Sequence, residues 1–160
     1  MLVKQTAELP ISSISTLQRL AEIPRKKLST IVTSATSLGE ALMQSAEDTR
    51  PERGSPCHFG VQLGRPMSHG SMAVLPLRWW NDNGRSLTPG FIGELQVRPV
   101  AGEITELQII GQYHPQAHLY ELVNNAFLCR VADTVVGSFL NQLQNAMLTT
   151  PAARGAATFS

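Results

Sequence analysis

Cys57 and His58 stand side by side, the residue types of a nucleophile and its base. They fall in a stretch with strand periodicity, where neighbouring side chains point to opposite faces, so the two cannot meet as a catalytic couple. His114, His118 and Glu121 have the spacing of metal ligands if one helix carries all three. Pro115 interrupts such a helix, so a chance grouping at a strand-to-helix junction is expected and no metal is assigned. Arg130 and Asp133 lie three apart on a helical pattern, which suits a surface pair, and Arg78 and Glu94 suit a cross-strand ion pair. The sequence contains no glycine-rich phosphate loop, serine elbow or paired catalytic carboxylates. No catalytic residue and no cofactor are therefore assigned.

Composition narrows the partners. The chain has 160 residues, of which 42% are hydrophobic and 16% charged, close to an ordinary globular domain. At that length one core buries enough surface to need no disulfide or structural metal. A formal charge of +1 forces no basic patch on any face, so nucleic acid is not an expected partner. Arg25, Lys26 and Lys27 form the one basic cluster and read as a solvated helix end. Cys57 and Cys129 belong to no Cys-x-x-Cys pair and are expected to be reduced. No apolar run reaches the ~20 residues of a membrane span, and the N-terminus lacks a signal-peptide core, so a cytoplasmic protein is expected.

The elements that must position any site follow from hydrophobic periodicity. Leu2 to Leu9 alternates loosely and meets Pro10, as a short strand would. Ser12 and Ser13 are capping residues for a short helix carrying Ile14, Leu17, Leu20, Ala21 and Ile23, which Pro24 ends. A second helix is expected from Arg25 to Glu47, with Leu28, Ile31, Val32, Ala35, Leu38, Leu42 and Met43 on one stripe. Its many Ser and Thr residues are mediocre helix formers. The segment EDTRPERGSP then reads as an exposed connection.

From Cys57 onward the period changes to two. Phe59, Val61 and Leu63 share a face, as do Ala73, Leu75, Leu77 and Trp79. A turn about Ser68 would set Leu63 beside Ala73, Val61 beside Leu75 and Phe59 beside Leu77. Phe91, Gly93, Leu95 and Val97 form the inward set of a second hairpin with Leu107, Ile109, Gly111 and Tyr113. With its loop at Val100 to Gly102, Gly111 would oppose Phe91 and Gly93 would oppose Ile109. The loop between Trp80 and Phe91 would in turn bring Trp79 beside Phe91. Glu94, Gln96, Arg98, Glu106, Gln108 and Gln112 face the other way, so the sheet has one dry and one wet face. Pro76 lacks an amide donor in mid-strand, so a bulge or an exposed edge is expected there, and a second copy of the chain could cover such an edge.

The longest pattern comes last. Leu119, Leu122, Val123, Ala126, Phe127, Val131, Val135, Phe139, Leu143 and Ala146 trace one helical stripe over roughly seven turns. A helix of that length needs a large apolar partner, and the dry sheet face has the matching size. The expected fold is α+β: a curved antiparallel sheet of about five to six strands packed on the long C-terminal helix, with two shorter N-terminal helices. Residues 1–148 are expected to form a single domain and 149–160 a disordered tail.

The order of elements, and the segments VQLGRP, VLPLRW, PGFIGELQV, LQIIGQYHP and CRVADTVVGSFLNQL, resemble the helix-grip fold of the START-like or SRPBCC superfamily, in a bacterial branch. The likeness is most specific from about His58 to Leu148. The first fifty residues match in layout, and larger members carry six or seven strands. What the resemblance implies is a cavity between sheet and helix for a small hydrophobic or amphipathic molecule, such as a lipid, sterol or polyketide. Its expected walls are Phe59, Trp79, Phe91, Ile109, Tyr113, Val135 and Phe139, with Arg130 or Tyr113 orienting the ligand. Gly93 and Gly111 remove bulk from the dry face; equally, they could let the sheet curl while aromatic rings fill the core. Two alternatives stand beside ligand binding: a cyclase or aromatase-type enzyme, which needs polar groups inside the cavity, and a protein-interaction domain with a filled interior.

Overall fold

The structure, a computed structural model, describes residues 1–47, 58–82, 87–114 and 124–149. In chain order the elements are β1 (Leu2–Leu9), α1 (Ser13–Glu22), α2 (Arg25–Glu47), β2 (His58–Leu63), β3 (Met67–His69), β4 (Met72–Asp82), β5 (Leu87–Ala101), β6 (Ile104–Tyr113) and α3 (Asn125–Thr149). The strands form one antiparallel sheet in the order β1-β6-β5-β4-β2, with β3 also pairing β4. Helix α3 packs on this sheet. The expected connection after α2, Cys57, the His118–Glu121 grouping, Leu119, Leu122, Val123 and the chain after Thr149 lie outside the described residues.

Capping chemistry sets the helix starts. The Ser15 amide donates to Ser12 Oγ at 3.2 Å and the Thr16 amide to the Ser12 carbonyl at 2.9 Å, so Ser12 is the N-cap of α1. Asn124 plays the same part for α3, its Oδ1 accepting the Phe127 amide at 2.8 Å.

Both hairpin registers differ from the expected ones by an even number of residues. β2 meets β4 with Leu63 opposite Leu77, Val61 opposite Trp79 and Phe59 opposite Asn81. Ser68 does not turn but sits in β3, and the chain reverses at Gly70, whose φ of 63° is costly for a residue with a Cβ. In the second hairpin Phe91 opposes Tyr113, Gly93 opposes Gly111 and Leu95 opposes Ile109, because the turn is centred on Gly102 (φ 54°) and Glu103. An even shift keeps each side chain on its face, so the dry and wet sets survive the correction.

Pro76 is not on an edge strand, since β4 pairs with β2 on one side and β5 on the other. The bulge lies further along, between Trp79 and Trp80. The Pro76 carbonyl accepts the Gly64 amide at 2.7 Å, so its main chain faces the short break between β2 and β3. That break is where a missing donor costs least.

Helix α3 is buried on more than one side. Leu128, Val131, Ala132, Val135, Val136, Phe139, Leu140, Leu143 and Met147 are all buried, a wider band than the expected stripe, whereas Ala126 is exposed. The added burial comes from α2. A Cβ at Gly39 would stand 2.5 Å from Val135 Cγ2 and 3.3 Å from Val131 Cγ1, so glycine is what lets the two helices close. In compensation Leu38, expected on the buried stripe of α2, is exposed, as is Ile14 on α1. On the wet face, Arg78 Nε donates to Gln62 Oε1 at 2.8 Å and its guanidinium lies 5.5 Å from the Trp80 ring centre. Glu94 instead accepts from Gln96, so the expected Arg78–Glu94 pair is not formed. Among the described residues the ion pair on this sheet joins Arg98 to Glu106, directly opposite each other.

Candidate functional site

Cross-strand pairing sorts the dry face into rows. Val61, Trp79, Phe91 and Tyr113 form one row, with Phe59 one step beyond it on β2. Leu63, Leu77, Gly93 and Gly111 form the next, then Leu75, Leu95 and Ile109, and finally Ala73, Val97 and Leu107. The aromatic residues of the sheet interior thus gather toward the ends of β4 and β6, and the aliphatic ones toward the two tight turns.

The aromatic end is closely packed where β4, β5 and α3 meet. The Trp79 indole stacks on Phe91 with centroids 4.6 Å apart and planes 20° from parallel, and it meets Phe139 of α3 at 4.9 Å. Both contacts fall in the range where ring pairs attract beyond their area of burial. The two facing glycines explain where the Phe91 ring goes. A Cβ on Gly93 would sit 2.9 Å from Phe91 Cζ, and one on Gly111 2.7 Å from it. The Phe91 ring therefore covers the space that the glycines leave, and their backbones approach closely beneath it.

The sequence-derived wall residues divide into three groups. Trp79, Phe91, Ile109, Val135 and Phe139 are brought together as one buried layer with at most 2% exposure. Tyr113, at 8%, and the half-buried Phe59 stand at its aromatic margin. Arg130 is exposed on α3 and is not brought to the others. Gln5 Nε2, 3.4 Å away, donates to Asp133 Oδ1, which ties α3 to β1 where an Arg130–Asp133 pair was expected. His114 lies at the end of β6, its amide bonded to the Gly90 carbonyl at 2.8 Å.

The opposite end is closed by α1. Thr105 Oγ1 donates to the Ile11 carbonyl at 2.7 Å, tying the segment that leads into α1 to the start of β6, and Arg19 Nη1 reaches the Met147 carbonyl at 2.7 Å, tying α1 to the last turn of α3. Thr16 and Leu20 point inward and are buried, and the Thr16 hydroxyl is satisfied by the Ser12 carbonyl at 2.8 Å. A polar groove of about 190 Å³ lies outside this plug, lined by Lys27, Ile31, Gln142, Asn145, Ala146 and Thr149, and is separate from the aromatic layer.

Sequence reasoning missed the contribution of α2. Ser29 Oγ donates to the Phe59 carbonyl at 2.8 Å, fixing one face of α2 on β2. Two turns further along that face is Thr36, whose hydroxyl oxygen is buried and has no hydrogen-bond partner among the described residues. The hydroxyl-rich composition of α2 was visible in the sequence, but nothing in it distinguished Thr36 from its neighbours.

No family model matches the sequence, and no curated protein does. Its fold is shared by a solved structure. A conserved protein from Geobacillus kaustophilus superposes with a TM-score of 0.55 at 11% identity, over 94% of this chain and 97% of that one. A Thermus thermophilus protein aligns with a TM-score of 0.47 at 11% identity, over 95% of this chain and 100% of that one. An aromatase/cyclase from a Streptomyces species aligns with a TM-score of 0.41 at 13% identity, over 96% and 94%.

Proposed function

We propose that the protein binds a small hydrophobic or amphipathic molecule between the sheet and helices α2 and α3, at the aromatic end of the inner face. The observation that carries this reading is the unequal finish of the two ends. One is plugged by α1 with its hydroxyls paired. The other ends in Phe59, Tyr113, Trp79 and Phe91, with Phe59 only partly buried and a buried hydroxyl on the adjoining helix left without a partner among the described residues. Rings with one wet edge are suited to a ligand that is mostly apolar, since such sites combine apolar walls with a few placed polar groups. The likeness of the sequence to START-like proteins favours the same place and the same class of molecule.

A second reading, an interaction domain with a filled interior, is favoured by the Phe91 ring lying over Gly93 and Gly111. Titration of the purified protein with naphthalene, followed by calorimetry, separates the two. Saturable one-to-one binding that weakens at least tenfold in Phe59→Ala, with the melting temperature little changed, supports ligand binding. No saturable uptake by the folded wild type defeats it in favour of the filled interior. Chloroform extraction of natively purified protein, analysed by mass spectrometry, would identify a copurifying molecule.

A further inference from the structure

Helix α2 contains a contrast among its own hydroxyls. Thr30, Thr33 and Ser37 each donate to the carbonyl four residues back, at 3.0, 2.9 and 2.9 Å. This is the ordinary fate of a hydroxyl inside a helix. Ser29 is the exception with a purpose, its hydroxyl reaching out to the Phe59 carbonyl on β2. Thr36 follows neither course: its Oγ1 is buried and unbonded, although the Val32 carbonyl stands four residues back. A buried hydroxyl without a partner costs roughly as much as a lost hydrogen bond, so its orientation is one the helix could have avoided by the rotation its neighbours use.

The position of Thr36 is defined by its neighbours. It lies seven residues after Ser29, hence on the same side of α2, the side that meets β2. It lies three residues before Gly39, the point of closest approach to Val131 and Val135 of α3. Val32 and Ala35 beside it are fully buried. Thr36 therefore sits on the side of α2 that meets β2, within one turn of the contact with α3.

We propose that the Thr36 hydroxyl is the polar anchor of the binding site, and that the ligand is amphipathic: an apolar body against the aromatic layer and one hydroxyl or carbonyl group hydrogen-bonded to Thr36. The inference rests on the binding reading given above and adds to it the polar half of the ligand. The hydroxyl can both donate and accept, so it fits a neutral alcohol, phenol or ketone, while no cation stands beside it among the residues that place it, to match a charged head group.

The test uses two probes with the same apolar body, naphthalene and 2-naphthol, titrated by calorimetry into wild type, Thr36→Val and Thr36→Ser. Valine keeps the shape and removes the hydroxyl, so the melting temperature of Thr36→Val should be equal to that of wild type or higher. The ratio of the 2-naphthol to the naphthalene dissociation constant should rise about three- to tenfold in Thr36→Val, the loss of one neutral hydrogen bond, and return to the wild-type value in Thr36→Ser. Using the ratio cancels any general change in the apolar walls. If both probes bind wild type and the ratio is unmoved in Thr36→Val, the anchor is overturned and the apolar site stands. If neither probe binds wild type, the site itself is overturned and the anchor falls with it.

Discussion

The two ends of the interior are built from different materials. At the end facing the tight turns, aliphatic side chains (Leu95, Val97, Leu107, Leu143, Met147) pack beneath α1, which is bonded to α3 and whose lead-in residue Ile11 is bonded to the sheet. At the other end the side chains are mostly aromatic, and Phe59 and Tyr113 keep some exposure. Aliphatic chains interlock without directional demands and serve a permanent seal. Aromatic rings offer broad flat faces at little rotational cost, the property a surface needs if it is to receive a second molecule. On the proposed reading, stability and binding belong to separate halves of one layer, and substitutions should reveal the division.

The largest effect is expected where the halves meet. Trp79→Ala removes the ring that joins Phe91 to Phe139 and should cost about 3–5 kcal/mol in chemical denaturation. A nearly silent substitution would instead show that the ring lines open space and would break the comparison at its centre. Next is Gly93→Ala, whose Cβ would stand 2.3 Å from the Ile110 carbonyl oxygen and 2.6 Å from the Gly111 Cα. Backbone atoms cannot step aside as a side chain can, so a loss of about 3 kcal/mol is expected, read as a fall in denaturation midpoint. Thr105→Val acts only on the plug. It removes the donor to the Ile11 carbonyl and should cost about 1–2 kcal/mol while leaving naphthalene affinity unchanged. Equal damage to binding would show that the two ends are not independent. Ser12→Ala, which removes the cap of α1, should cost about 1 kcal/mol with the same neutrality in binding, checked by thermal melting and calorimetry.

Much of this architecture was legible before the structure. Period two from Phe59 to Tyr113 and period 3.6 from Phe127 to Ala146 are consequences of burying one face, and burial leaves its mark on every residue. The register was not legible, because Ser68 and Gly70 are both plausible turn residues and an even shift leaves the pattern unchanged. The α2–α3 contact was hidden for a related reason. It depends on Gly39, and a glycine in a helix gives no periodic signal even when it sets how closely two helices approach. Of the proposed walls, Trp79, Phe91 and Phe139 were readable from size and alternation. Arg130 was put forward as the polar residue that the resemblance implies, and polarity does not report which side of a helix faces inward. Thr36 could not have been found at all, since an unpaired hydroxyl is defined by the partners it lacks in three dimensions.

Both long margins of the sheet are met by a helix side chain. On β1 the outward Glu8 carbonyl accepts from Gln144 Nε2 at 2.7 Å, and on β2 the outward Phe59 carbonyl accepts from Ser29 Oγ. A foreign strand seeking to extend the ladder would have to displace these donors and the helices that carry them. The fold thereby discourages edge-to-edge polymerisation, in addition to the exposed Lys4 and Glu8 on β1, and the three-residue β3 is too short a template to nucleate a fibre in its place.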